Sequence, residues 1–367
     1  MTNSSDLKKT LLHGLHVQNG AKFGPFAGYA MPLSYDGFGA IAEHLQTRRA
    51  ASVFDVSHMR VVDLVGADPA ASLETLVPGG ITTLAEGKLR YTFFTNGQAG
   101  ILDDLIAWAM ADRVSVVVNA SRVAHDLAHL RDLSGVEVRE RDDLHLIAVQ
   151  GPMAESVLTA LGLPVTDLGF MGGIEATHEG TQIRITRSGY TGEDGFELAL
   201  PSAVLLGLTE QILADDRAEL SGLAARDSLR LEAGLCLYGS DIDETTTPLE
   251  AALMWAIPKR RRDAGDFPGA EFLAAQAVAG AARHRVGIGT DQRRPIRSGN
   301  ELYDRTGNKV GVVTSGGFGA TIDGPVAMGY VASTSQAVGT KLEADVRGKR
   351  VPCEVTAFPF VTPNYKR

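Results

Sequence analysis

The sequence predicts an α+β protein that ends in an all-β unit, and three observations carry that expectation. Helical and extended patterns mix through residues 1–275, short alternating stretches broken by glycine fill residues 276–367, and the charge changes sign between the two. Residues 276–367 hold 13 Lys and Arg against 7 Asp and Glu, while the whole chain has 35 against 44 and a formal charge of −9. The upstream part therefore carries −15. At 367 residues the chain has room for two or three domains of about 150 residues each.

Taken in order, the elements read as follows. Arg113–Ala120 (RVSVVVNA) and Leu144–Gln150 (LHLIAVQ) are β-rich runs bounded by loop residues. Thr181–Thr186 and Phe196–Leu200 alternate on either side of the glycine-dense Ser188–Gly195 (SGYTGEDG), which predicts a hairpin. Ser202 follows Pro201 and is expected to cap the helix AVLLGLTEQIL. Gly222–Leu235 (GLAARDSLRLEAGL) reads as a helix with Ala224, Ser228, Leu231 and Leu235 as its apolar stripe and Arg226 and Arg230 together on another face. The alanine-rich Phe272–Ala282 separates this part from the strands Lys309–Thr314, Val326–Val331 and Val351–Thr356.

Several function classes fall away. The acid excess argues against a nucleic-acid binder, which needs cationic groups to displace phosphate counterions. Apolar runs such as Val116–Val118 are far below the ~20 residues that span a bilayer. Cys236 and Cys353 are isolated, which excludes a disulfide scaffold or paired-cysteine zinc site, and the chain is expected in the reducing cytoplasm. His125 and His129 have metal-ligand spacing but no evident third ligand, and Asp241, Asp243 and Glu244 lack the glycine and terminal glutamate of a calcium loop. No metal is expected. Gly316–Thr321 reads as a turn, and Ser57–His58 has no partner acid for a hydrolase triad. The basic run Lys259–Arg262, with the positive C-terminal part, is a candidate for attracting an anionic partner or a polyglutamate chain.

Three constellations remain as candidates for chemistry. In Gly100–Trp108 (GILDDLIAW) two carboxylates interrupt an apolar run; on a strand, Asp103 and Asp104 point to opposite faces, so at most one enters a given pocket. On the Phe196–Leu200 strand the core takes Phe196, Leu198 and Leu200, leaving Glu197 opposite, beside a glycine-rich turn that lets a planar ligand approach the backbone. A carboxylate there suits an aminopyrimidine edge, because it accepts from two parallel N–H donors. Arg226 and Arg230 form either a solvated pair bridged to Asp227 and Glu232 or a fork for a carboxylate or carbonyl.

These segments, together with Phe23–Tyr35 (FGPFAGYAMPLSY), Phe54–Met59 (FDVSHM), Val117–Ser121 (VVNAS), Ala148–Pro152 (AVQGP), Asp266–Gly269 (DFPG), Arg285–Gly287 (RVG), Thr314–Gly316 (TSG) and Pro359–Tyr365, run in order from end to end. The chain so read resembles the aminomethyltransferase (T-protein) family of the glycine cleavage system. The resemblance implies three domains around a central channel: two intertwined α+β, ferredoxin-like domains within 1–275 and a C-terminal β-barrel over 276–367. It also implies transfer of a one-carbon unit from the aminomethylated lipoyl arm of H-protein to tetrahydrofolate, with release of ammonia and formation of 5,10-methylenetetrahydrofolate. Carried over by motif position, Asp103 is the catalytic acid at the folate N10, Glu197 grips the pterin with Tyr190 beside it, and Arg226 and Tyr365 bind folate. Met59, Tyr91, Asn119, Trp255 and Arg285 match pocket-wall or nearby positions. One departure is Ala99-Gly100, where the family often has Gly-Gly; alanine strains a backbone that needs positive φ.

Two rivals use the same scaffold. A folate-dependent demethylase of a sulfonium or N-methyl donor differs in its donor channel. A non-catalytic folate-binding module carries a Lys-Gly-Cys signature, which Leu235–Glu244 (LCLYGSDIDE) lacks around Cys236.

Overall fold

The computed structural model describes residues 7–367 and has an α+β architecture with a closed C-terminal barrel. Two antiparallel-dominated sheets share the first part of the chain. The larger, six-stranded sheet runs in the order Gly172–His178, Thr181–Arg187, Gly195–Pro201, Leu144–Gln150, Ala51–Asp55, Ala218–Leu220. The five-stranded sheet runs Leu89–Thr95, Ile101–Ala109, Arg113–Val118, Arg60–Gly66, Val136–Glu140. The chain interleaves them: Ala51–Asp55 lies in the first, Arg60–Gly66 through Val136–Glu140 build the second, and Leu144–Gln150 returns to pair with Ala51–Asp55.

Each sheet has an outer face covered by helices and an inner face turned to the other sheet. Outside the larger sheet, Phe196, Leu198 and Leu200 pack with Ile183 and Ile185 against helix Ser202–Leu213, the face that their alternation demands. Outside the smaller sheet, Phe94, Leu105 and Ala107 pack against Leu127 and Leu130 of helix Val123–Arg131. Between the sheets lie Phe54, Val61, Leu146, Ala148 and Ala199. The hairpin of Thr181–Arg187 and Gly195–Pro201 forms with Ile185 opposite Leu198. Ser202, however, does not cap its helix: the cap position is Pro201, and the Ser202 hydroxyl lies 2.9 Å from His145 Nε2.

The helix Leu223–Glu232 buries Ala225, Leu229, Arg230, Leu231 and Glu232, so the stripe expected through Ala224 and Ser228 is displaced by one position. The reason is that this helix packs on two sides, against Phe54 and Val61 between the sheets and against Val326 and Met328 of the barrel. Polar groups then become core. Arg230 reaches Asp241 at 2.6 Å and Ser315 at 2.8 Å, and Tyr330 of the barrel donates to the Asp241 carbonyl at 2.7 Å.

The barrel closes through Arg283–Gly289, Gly324–Ala332, Lys309–Gly319, Glu301–Tyr303, Lys341–Val346 and Lys349–Thr356, the last pairing back to the first. The break expected at Gln276 falls inside helix Ala270–Ala279, just before the first barrel strand. No helix among the described residues is long and apolar enough to cross a membrane. The basic run Lys259–Arg262 is not a free cationic patch. Arg261 is buried against Asp266 and the carbonyls of Glu74 and Val77, Arg260 holds Glu74, and Lys259 holds Asp263.

One ionic tie links the sheets. Arg184 of the larger sheet forks onto Asp63 of the smaller at 2.8 and 2.7 Å, and both are nearly fully buried. Burial pushes the Asp63 carboxyl up, but the Arg184 fork, with help from Ser115 and Arg141, leaves it below the usual range. Removing one member of a buried pair strands the other without water. Arg184→Met is therefore expected to lower the unfolding free energy by about 3 kcal/mol, read from the urea midpoint at pH 7; an unchanged midpoint contradicts the tie.

Candidate functional site

The inner faces do not fill the space between them. A small cavity of about 40 Å³ is lined by Val61, Ile106, Trp108 and Val117 on one side and by Thr186 and Glu197 on the other. Met59, on the turn where the chain passes from one sheet to the other, closes one wall. The strand pleat decides which side chains reach this cleft. Glu197 does, because Phe196 and Leu198 take the opposite face of its strand.

The same rule separates the two aspartates. Asp104 shares the parity of Ile106 and Trp108, both cleft-lining, and stands opposite Phe93. Asp103 stands opposite Phe94, whose ring belongs to the outer core under helix Val123–Arg131. Asp103 is fully buried there, whereas Asp104 is half-buried. The pleat therefore sets Asp104 on the cleft side of the strand and the expected acid, Asp103, on the side under the helix.

Around Asp104 several of the expected residues meet. Tyr91 donates its hydroxyl to Asp104 Oδ2 at 2.9 Å and stacks on Trp255 with ring centroids 5.6 Å apart. Asn119 donates to Asp104 Oδ1 at 2.7 Å and to Asp103 Oδ1 at 3.0 Å, so one amide fixes both acids. Burial pushes Asp104 up to about 7, with the Asp103 charge adding to the shift and Tyr91 and Asn119 opposing it. Trp255 itself is 70% exposed and forms a rim rather than a wall.

Near Glu197, Arg226 lies over the Tyr190 ring at 4.8 Å, and its Nη1 is buried without a hydrogen-bond partner. Glu197 is the carboxylate whose charge it feels most. Ser188 donates to Glu197 Oε2 at 2.6 Å and orients it. Tyr190 donates to the Cys236 carbonyl. The two arginines of the helix thus divide: Arg230 is structural, and Arg226 keeps a free donor.

Two expected residues stand elsewhere. Arg285 is 5% exposed, and its donors are taken by the carbonyls of Ala251 at 2.9 Å and Gly234 at 3.0 Å; it clamps the barrel to the preceding loops instead of walling the cleft. Tyr365 stacks on Phe170 at 4.0 Å, beside the Asn364–Glu193 bridge that ties the C-terminal segment to the Tyr190 turn. Sequence reasoning missed Asp126 and set His58 aside. His58 is buried edge-on to Phe26, with Nδ1 unpartnered and its basicity lowered to about 4 by burial, so it is neutral at pH 7. His125 and His129 meet ring edge to ring face at 4.6 Å.

A family model described as the GCVT N-terminal domain matches residues 12–261, and one described as the glycine cleavage T-protein C-terminal barrel domain matches residues 283–362. The chain belongs to the glycine cleavage aminomethyltransferase family. It is 42% identical to "Aminomethyltransferase, mitochondrial" of Flaveria trinervia over 99% of this chain and 92% of that protein. The Gallus gallus protein of the same name is 43% identical over 98% and 94%. The crystal structure of glycine cleavage system aminomethyltransferase T from Bartonella henselae superposes with a TM-score of 0.94 at 46% identity, covering 98% of this chain and all of that one. The location in those plant and bird names belongs to those proteins, and it lends no support to the cytoplasmic expectation.

The turn that carries the aspartates into place is tightly built. Ala99 has φ of 59°, the strained left-handed conformation anticipated for the residue where the family often has glycine. At Gly100, a Cβ would lie 1.8 Å from the Glu244 carbonyl oxygen. Gly100→Ala is expected to destabilise by more than about 2 kcal/mol and to lower kcat/KM for aminomethyl transfer by moving the aspartate strand; thermal and steady-state measurements check both.

Proposed function

We propose that this aminomethyltransferase takes the one-carbon unit from an aminomethyl group on the lipoyl arm of H-protein, passes it to tetrahydrofolate, releases ammonia and forms 5,10-methylenetetrahydrofolate. The observation that carries the reading is a run of neighbouring complementary groups: Asp104, an acid with raised affinity for protons; Tyr190, which feels its charge; and Arg226, which lies over the Tyr190 ring beside the Glu197 carboxylate and keeps an unpartnered donor. A reduced folate presents N–H donors at the pterin edge, acceptors on its carbonyl and carboxylates, and a reacting amine between them. Glu197 receives the pterin donors, Arg226 supplies a hydrogen bond to an acceptor, and Tyr190 and Met59 flank the ring. Trp255 acts at the edge of the site, and Asn119 sets the Asp104 carboxyl toward the folate N10.

The proton balance is internal. Two N–H protons leave the folate nitrogens as the methylene bridge forms, and the released amine and sulfur gain one each. Ionised Asp104 takes the proton from N10 as the new bond forms and returns it to the departing group, ending as it began. Positioning of two large substrates supplies the rest of the rate, since alignment alone is worth several orders of magnitude.

Because only ionised Asp104 accepts that proton and its affinity is raised to about 7, kcat/KM for transfer should fall below pH 7 rather than below pH 4. Asp104→Asn is expected to lower kcat for ammonia release from aminomethylated H-protein by about 100-fold or more, with folate affinity changed only a few-fold. Wild-type turnover in this variant refutes the role. Glu197→Ala should instead weaken folate binding by about 1.5–3 kcal/mol, measured by calorimetry, and an unchanged dissociation constant contradicts its place at the pterin.

A further inference from the structure

Behind Asp104, on the side of the strand away from the cleft, a second acid waits under the helix. Asp126, in the first turn of helix Val123–Arg131, is fully buried and is a hydrogen-bonding neighbour of the Asp103 carboxyl. Each of these acids has one oxygen satisfied. Asn119 donates to Asp103 Oδ1 at 3.0 Å, and His125 Nδ1 lies 3.1 Å from Asp126 Oδ1. Each also has one oxygen left over: Asp103 Oδ2 and Asp126 Oδ2 are both buried with no donor. Two ionised carboxylates in contact, each with a bare buried oxygen, carry both like-charge repulsion and a desolvation penalty, and one proton between them removes both.

We propose that Asp103 and Asp126 share a single proton at neutral pH, and that this pair is a positioning device which sets the proton affinity of Asp104. The inference rests on the reading of Asp104 as the acid at the folate. Sharing leaves the pair with one negative charge, set back from the cleft. Asn119, bonded to Asp103 and Asp104 alike, is the bridge through which the pair fixes the Asp104 carboxyl.

The surroundings agree. Burial, then contact with Asp126, pushes Asp103 up to about 8; burial pushes Asp126 up to about 6, with Asp103 and Arg122 opposing and Asp104 adding to the shift. Other charged or titratable groups face the pair from adjoining elements. Arg122 stacks over the Tyr238 ring at 5.2 Å, Tyr238 feels the Asp103 charge, and Glu244 acts on both Tyr238 and His125. His125 is partly open, and its proton affinity is lowered by burial and by Arg122, so near pH 7 it is neutral and does not neutralise the acids.

The test is the acid limb of the transfer rate against pH in a two-by-two set of variants. Asp126→Asn removes the partner that holds the proton on Asp103; Asp103 then ionises next to Asp104, and the limb moves to higher pH by about one unit. In the Asp103→Asn background the same change removes only the distant charge of Asp126, and the limb stays or moves to lower pH. A shift of the same sign in both backgrounds overturns the shared proton, because two independently ionised acids act additively. If Asp104→Asn keeps full turnover, the reading of Asp104 fails instead, whatever the other variants do. If Asp126→Asn does not fold, carbon-13 NMR of aspartate carboxyls in the wild-type chain decides the matter. One carboxyl that keeps its protonated shift above pH 7, besides any that responds to folate, supports the pair; all carboxyls ionised by pH 5 overturn it.

Discussion

The pleat of one strand sets the arrangement on which the rest of the cleft depends. Ile101–Ala109 carries two aspartates in succession through an otherwise apolar interior, and a β-strand cannot send neighbours to the same side. One acid therefore meets the cleft and the other meets the helix layer behind it. Everything needed to keep two carboxyls so close, buried and distinct is arranged around this: an asparagine that donates to both, a tyrosine hydroxyl for the front acid, and a second buried acid for the rear one. The separation gives the two groups different surroundings, the arrangement that sets neighbouring titratable groups apart.

Holding that strand at the right depth depends on glycine and on strain. The turn before it admits no side chain at Gly100, where the Glu244 carbonyl crowds the backbone, and it tolerates alanine at position 99 only in a left-handed conformation. The loop following Asp241 locks the turn further, since Ile101 donates to the carbonyls of Asp243 and Thr246. Arg230, Asp241 and Ser315 connect that loop to the barrel, so the barrel braces the cleft although it does not line it. Arg285 does the same from the first barrel strand.

Much of the architecture was legible in the residues. The alternation in Thr181–Arg187 and Gly195–Pro201 fixes the hairpin and the direction of Glu197, and the change in composition and charge anticipates the barrel. What escaped has a common cause. Ser202, the stripe of helix Leu223–Glu232 and the clamp formed by Arg285 all depend on partners far away in the chain, and local patterns hold no information about those contacts. The choice between Asp103 and Asp104 was likewise open to any reading of spacing. The sequence establishes that they diverge; only the layer behind each, Phe94 and Asp126 for one and Tyr91 and Trp255 for the other, says which faces the cleft. Asp126 gave no sign, because an acid in a first helical turn is ordinary until its burial is seen.

A crystal structure with reduced folate bound tests the central claim most directly. The account predicts a carboxyl oxygen of Asp104 within hydrogen-bonding distance of the folate N10, with Asp103 turned away beneath the helix. A folate whose N10 meets Asp103, or that lies outside the space between the two sheets, contradicts it.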